Sequence, residues 1–235
     1  MSNKCTQTEN FEFEALKYAE NYRNRLVSEF SPYLNGDVIE VGAGIGQITV
    51  KVAALSSVKS VLAVEPNSEF CRIFREHHPD IPLHFGTVNS LQDGSCCDSI
   101  VSINVLEHIN EHSAELARYA QILSPRKGRL CLFVPARPEI YAPIDKDFGH
   151  FRRYVKADLS KMFFEAGFTV IRLEYFNVVG YFAWWFNFCV LKKRGFDTRA
   201  VRAFDRLIFP VTSTVEGWFP APPFGQSILV VAEAK

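Results

Sequence analysis

The chemistry in this chain begins at Val41-Gly42-Ala43-Gly44-Ile45-Gly46, directly after the β-branched run Asp37-Val38-Ile39-Glu40-Val41. Glycine lets the backbone turn sharply there and lets a ligand touch main chain, because no Cβ intrudes. A helix starting just beyond such a loop offers free N–H groups to a carboxylate. Glu65 ends a second apolar run, Ser60-Val61-Leu62-Ala63-Val64. A carboxylate at the strand tip beside a glycine loop is placed to accept both hydroxyls of a ribose. Loop and acid together point to a nucleoside-type cofactor. The glycine spacing is G-x-G-x-G, with Gln47 where a dinucleotide fingerprint needs its third glycine. That disfavours a nicotinamide-dependent oxidoreductase, which stays as a lesser alternative.

Two histidines and two arginines are the other candidates. His108 follows the fourth apolar run, and His150 lies in a segment rich in Pro, Asp, Arg and aromatics. Either could act as a general base toward an acceptor that carries a proton. The structural alternative for His108 and Glu107 is a helix-start hydrogen bond. Arg152 and Arg153 precede Tyr154, and could clamp an anionic acceptor bidentately. They could equally form an internal ion-pair network with Asp145 and Asp147. No metal ligation is expected: the six cysteines include no C-x-x-C pair, so zinc spacing and a disulfide framework both lack support.

Elements must hold these groups in place. Leu16, Ala19, Tyr22, Leu26 and Phe30 recur at helical steps, predicting a helix over 12–34. Strands are predicted at 37–41, 60–65, 82–85, 99–103 and 128–134, with helices at 46–55, 67–77 and 111–123 between them. Such alternation implies a parallel sheet with right-handed crossovers, and buried parallel strands should be continuously apolar, as most of these are. Beyond Pro135 the pattern predicts a loop over 136–154, a helix over 157–166, a strand over 168–175, helices over 178–193 and 197–209, a turn-rich stretch over 211–224 and a last strand over 226–234.

Composition narrows the class. The 235 residues are 48% hydrophobic and 22% charged, which excludes disordered and fibrous chains. Lys+Arg 26 balances Asp+Glu 26, against the basic excess of a phosphate-held nucleic-acid binder, so no nucleic-acid partner is expected. The polar start Met1-Ser2-Asn3-Lys4 has no apolar signal region, and the uncharged run 175–191 is too short to span a bilayer. A cytoplasmic protein with reduced thiols is expected. Aromatics reach 14%, and eight of the seventeen residues from 175 to 191 carry rings. Tyr181, Trp184, Trp185 and Phe188 form one helical stripe, and Phe182, Phe186 and Cys189 another. Three covers suit a helix apolar all round: the domain itself, a partner subunit, or a membrane surface, the last favoured by Lys192-Lys193-Arg194.

The segments Glu40-Val41-Gly42-Ala43-Gly44-Ile45-Gly46, Glu65-Pro66-Asn67 and Asn104-Val105-Leu106-Glu107-His108-Ile109 together resemble the class I S-adenosylmethionine-dependent methyltransferases, in the small-molecule groups often labelled type 11 or type 12. Gly149-His150-Phe151-Arg152-Arg153-Tyr154 and the Trp184-Trp185 helix resemble one bacterial branch of them. The resemblance implies an α/β, Rossmann-like, doubly wound seven-stranded sheet, mostly parallel with its last strand antiparallel. It also implies a single domain: an N-terminal helical cap (1–36), a cofactor-binding core (37–135), a substrate-side part with a helical lid insertion (136–225) and a final strand (226–235). It puts Gly42, Ala43 and Gly44 under the methionyl part of S-adenosylmethionine, with Glu40 beside them. Glu65 and Pro66 fall at the ribose. Thr87 or Val88 takes the adenine contact that an Asp makes in most relatives. Asn104 brings backbone near the reactive methyl, and Tyr22 covers the methionyl carboxylate or packs in the core.

The implied activity is in-line methyl transfer to a small-molecule or lipid-like acceptor, leaving S-adenosylhomocysteine. The leaving group is neutral and good, so positioning and desolvation do much of the work. His108 and His150 are the candidate catalytic groups, and Arg152, Arg153, Tyr154 and Trp184 the candidate acceptor contacts. The alternative is a non-catalytic scaffold using the aromatic face for a partner. A monomer or homodimer, with weak membrane-surface contact, fits either.

Overall fold

The computed structural model describes residues 18–218 and 222–235. Seven strands form one sheet: β1 (Gly36–Val41), β2 (Val58–Glu65), β3 (Leu83–Phe85), β4 (Ser99–Ile103), β5 (Arg129–Pro135), β6 (Phe168–Phe176) and β7 (Ser227–Ala234), in the order β3-β2-β1-β4-β5-β7-β6. β7 runs antiparallel to both β5 and β6, and the pairings from β3 through β5 are parallel. The order reverses between β1 and β4, so their carboxyl ends open a crevice of the kind in which doubly wound sheets bind ligands.

Helices flank the sheet: α1 (Glu20–Phe30), α2 (Thr49–Ala53), α3 (Ser68–His77), α4 (His112–Leu123) and α6 (Lys156–Glu165), with the short α5 (Pro143–Asp147) in the connection after β5. One apolar layer joins Ile39, Val41, Ile100, Leu130 and Leu132 to Leu116, Tyr119 and Phe163. The other joins Val38, Val61, Val101, Cys131 and Phe133 to Leu26 and Phe30 of α1. Successive strand residues thus face opposite layers, which is why the strands carry no polar face.

The insertion between β6 and β7 holds α7 (Val178–Trp184), extended by a π-helical turn over Trp185–Val190, then α8 (Thr198–Ala203), extended the same way over Phe204–Ile208, and α9 (Phe209–Glu216). Trp184 and Phe188 pack on Ile140, Ile144 and Phe148, a third small core beyond the sheet.

Three sequence expectations change. The expected loop over 136–154 contains α5, which starts at Pro143 and whose Asp145 carboxylate accepts the Ala142 N–H at 2.8 Å. The stretch expected to be turn-rich from 211 is helical to Glu216, because Pro210 sits in the first turn of α9, where its missing N–H is no loss. The helix expected over 46–55 spans only Thr49–Ala53, since Gly42, Gly44 and Gly46 hold the preceding loop at positive φ. A helix that short is no anchor for a carboxylate. Residues 12–17 of the expected first helix lie outside the described residues.

Candidate active site

A cavity of about 860 Å³ opens above the carboxyl ends of β1, β2 and β4. Its floor is the glycine loop. Gly42 has φ +73°, and a Cβ there would stand 2.3 Å from Val105 Cγ2, so only glycine lets the loop meet the segment after β4. The Gly42 and Ala43 N–H groups both donate to Val64 O. Glu65 ties the loop to β2: its Oε2 accepts the Gly44 N–H and its Oε1 the Asn67 N–H, each at 2.8 Å. Asn67 in turn caps α3, accepting from the Glu69 and Phe70 N–H groups.

The cavity floor is acidic. Glu40, Glu65 and Glu107 line it, and all three are buried. Burial, reinforced by the charge of Glu65, pushes the Glu40 carboxyl up to about 8, and Glu40 Oε2 has no hydrogen-bond partner among the described residues. A buried carboxylate in this state favours a cationic ligand, and S-adenosylmethionine carries a sulfonium and an ammonium. Glycine loop, strand-tip acid and acidic lining therefore fit that cofactor.

Glu107, His108 and His150 also line the cavity together. The two imidazoles meet edge to face, with ring centroids 4.6 Å apart. Burial, and then the neighbouring His150, pushes His108 down to about 4, so it is neutral at physiological pH. His150 Nδ1 lies 3.0 Å from Asp145 Oδ1. Asp145 also takes Arg153 Nε and Nη2, both at 2.9 Å. Burial pushes the Asp145 carboxyl up, but the His150 hydrogen bond, the Arg153 charge and the Ala142 N–H outweigh it and hold the group below its usual range. Asn104, at the end of β4, sits in the left-handed region at φ +53°, a conformation asparagine tolerates better than most residues.

The remaining candidates divide. Tyr22, Ala43, Pro66, Thr87 and Trp184 line the cavity. Tyr22 packs its ring on Phe133, Phe176 and Phe209, and burial raises its hydroxyl pKa. Gly44 and Val88 do not line it: Gly44 acts through its N–H on Glu65, and Val88 is fully buried in the core. Arg152 and Tyr154 also stand outside the cavity lining. Arg152 donates to the Ile109 and Asn110 carbonyls, and the Tyr154 hydroxyl to Leu106 O. Arg153 reaches the cavity edge but is engaged on Asp145, on Ala136 O and over the Trp184 ring at 4.4 Å. Arg153 thus pairs with Asp145, whereas Arg152 is held by backbone carbonyls and Asp147 is taken by Arg194.

Sequence reasoning missed Asp145 as the residue holding His150, and Asp205. The Asp205 carboxylate accepts the Asn21 and Tyr22 N–H groups at 3.0 and 2.9 Å, binding the insertion to the first turn of α1. Nothing local in the sequence marks either contact.

Residues 15–173 match the model of a methyltransferase-domain family. The chain belongs to that family. It is a class I S-adenosylmethionine-dependent methyltransferase. Among curated proteins compared by sequence, none matches. Solved structures share the fold at low identity. A candidate methyltransferase of Haloferax volcanii, solved with the activator Trm112, superposes with TM-score 0.66 at 14% identity, over 100% of this chain and 98% of that one. A candidate methyltransferase of Bacillus halodurans gives 0.61 at 20%, over 90% and 97%. DhpI, solved with S-adenosylhomocysteine, gives 0.57 at 16%, over 73% and 88%.

Proposed function

We propose that this methyltransferase moves a methyl group from S-adenosylmethionine to an oxygen of a small, largely apolar, lipid-like acceptor. The observation that carries the reading is one cavity lined by two unlike sets of groups. The glycine loop with Glu40 and Glu65 is one set, and the imidazoles of His108 and His150 with the rings of the insertion are the other.

Each part has a task. Glu65 holds the glycine loop through Gly44 and presents its carboxylate to the ribose; each carboxylate oxygen has room for two hydrogen bonds. Pro66 and Thr87 flank the nucleoside. Glu40, protonated in the ligand-free protein, gives up its proton and supplies negative charge once the methionyl ammonium lies beside it, and Tyr22 closes that side from α1. S-adenosylmethionine supplies the electrophilic methyl. His108, kept neutral by burial, and His150 receive the acceptor's hydroxyl, and Asp145 fixes the His150 ring. Trp184, Phe188 and Phe196 offer the acceptor an apolar wall and keep water out.

The lipid-like character of the acceptor is supported by the insertion's outer surface. Phe182, Trp185, Phe186 and Leu191 are exposed, as are Leu207, Val211, Val215 and Trp218, which recur at helical steps. Lys192, Lys193, Arg194, Arg199, Arg202 and Arg206 are exposed in the same segment. Its three acids face inward or are spent on caps. Asp197 accepts from the Arg199 and Ala200 N–H groups, Asp205 from α1, and Glu216 from the Asn177 and Val178 N–H groups. Arg194 pairs with Asp147 outside the insertion, and rings flanked by the remaining cations suit the interface of an anionic membrane. No helix among the described residues is long and apolar enough to cross a membrane.

Isothermal calorimetry with S-adenosylmethionine and S-adenosylhomocysteine tests the cofactor half. Assays of radiolabelled methyl transfer into lipid extracts and water-soluble fractions test the acceptor half. Label entering only the water-soluble fraction would refute the lipid-like acceptor. Tight cofactor binding with no transfer into either fraction would favour the scaffold alternative.

A further inference from the structure

We propose that Glu107, His108 and His150 bind one divalent cation of the zinc or cobalt type at the acceptor end of the cavity. The three side chains offer one carboxylate oxygen and two imidazole nitrogens, and these atoms all lie within 4.8 Å of one another. Ligands about 2.1 Å from a tetrahedral ion stand roughly 3.4 Å apart, so a movement on the order of 1 Å closes the set. Two imidazoles and one carboxylate suit borderline cations, and three protein ligands leave positions open for an exogenous oxygen.

A second observation, independent of the donor set, points the same way. His150 is held through Nδ1 by Asp145, which is itself fixed by Arg153 and by the Ala142 N–H. A ligating histidine characteristically gives its other ring nitrogen to a carboxylate in this way. With Nδ1 on Asp145, His150 would ligate through Nε2. The Asp145–Arg153 pair sits at 0% and 1% side-chain exposure, so this orienting layer is rigid and excludes solvent. The expectation of no metal rested on cysteine spacing, which says nothing about a site assembled from Glu107-His108 and a histidine brought back by the connection after β5.

The site deepens the proposed reaction and rests on it for its purpose. With the cation bound, the acceptor's hydroxyl meets the ion in place of the two imidazoles and gives its proton to solvent as it binds, more easily than a free hydroxyl does. The acceptor oxygen then forms the O–CH3 bond as the S–CH3 bond breaks, and the bonding pair returns to sulfur as S-adenosylhomocysteine. Cation binding itself needs neither cofactor nor acceptor.

The test is a titration of chelator-treated, full-length protein with Co²⁺, read by its visible d–d absorption, and with Zn²⁺, read by calorimetry. The expected result is one equivalent of either ion. His108→Gln and His150→Gln should weaken binding at least tenfold, and Asp145→Asn by 10–100-fold through the orientation of His150. Circular dichroism identifies any variant that fails to fold, and Glu107→Gln, with the same prediction, then stands in for it. No Co²⁺ band in the wild type, or affinity unchanged in folded His150→Gln and Glu107→Gln, would overturn the proposal. Binding of S-adenosylhomocysteine by the metal-free protein is measured alongside. If it binds while Co²⁺ does not, the cation site alone is wrong. If Co²⁺ binds while S-adenosylhomocysteine does not, the site stands and the cofactor reading fails.

Discussion

The Glu65 carboxylate accepts the Gly44 N–H at 2.8 Å, so the tip of β2 and the glycine loop act as one unit. A single acid thereby shapes the cradle and, in the proposed reading, takes the ribose. Glu65→Ala should weaken S-adenosylhomocysteine binding by about 1–3 kcal/mol, the loss expected for a charge-assisted acceptor. Calorimetry checks it, and an unchanged affinity contradicts the ribose assignment. Glu65→Gln, which keeps one acceptor oxygen, should lose less.

Glu40 makes stability depend on pH. Its carboxyl is pushed from an ordinary 4.5 up to about 8 in the folded protein, so the folded state holds a proton that the unfolded chain has lost. This contribution is fully present below about pH 4.5 and disappears as pH rises through 8. Thermal melts of the ligand-free protein from pH 5 to 9 should therefore fall more steeply for the wild type than for Glu40→Gln. Parallel curves contradict a buried, protonated Glu40.

Arg152 and Arg153 should behave differently despite being neighbours. Arg153→Met leaves Asp145 buried with one fewer cation and should cost on the order of 3–5 kcal/mol in denaturant unfolding. Arg152 donates to two carbonyls and lies over the exposed Phe151 ring, so Arg152→Ala should stay within about 1 kcal/mol and leave methyl transfer unchanged. A large loss of acceptor affinity in Arg152→Ala would restore the anion-clamp reading.

Asp205 caps the first turn of α1 from a distant part of the chain. Asp205→Ala should destabilise the protein by about 1–2 kcal/mol and raise hydrogen exchange at Asn21 and Tyr22. Unchanged exchange at both amides contradicts the contact.

The insertion should bind vesicles containing anionic lipid and release them at high salt. Phe186→Ser with Trp185→Ser, or Lys192→Glu with Lys193→Glu, should lower co-sedimentation severalfold. Equal binding to neutral vesicles, or none to either, contradicts the surface assigned to the insertion.

The core strands are legible in sequence because burial on both faces demands runs of Val, Ile and Leu, as at 228–231 of β7, and the glycine loop is legible because positive φ selects glycine. The helix Phe209–Glu216 was hidden by Pro210, which reads as a breaker unless its place in the first turn is known. Asp145 and Asp205 were hidden for another reason: each acts on a residue through the fold, and an isolated Asp looks the same in a cap, a network or solvent. The rings of 175–191 split the same way, Trp184 and Phe188 into a core and Phe182, Trp185 and Phe186 onto the surface, although helical spacing treats them alike.

A crystal structure with S-adenosylhomocysteine tests the central claim most directly. The account predicts the ribose hydroxyls on the Glu65 carboxylate, the methionyl part over Gly42 and Ala43, and the sulfur turned toward His108 and His150. A sulfur turned away from that pair, or a ribose held elsewhere than Glu65, would contradict it.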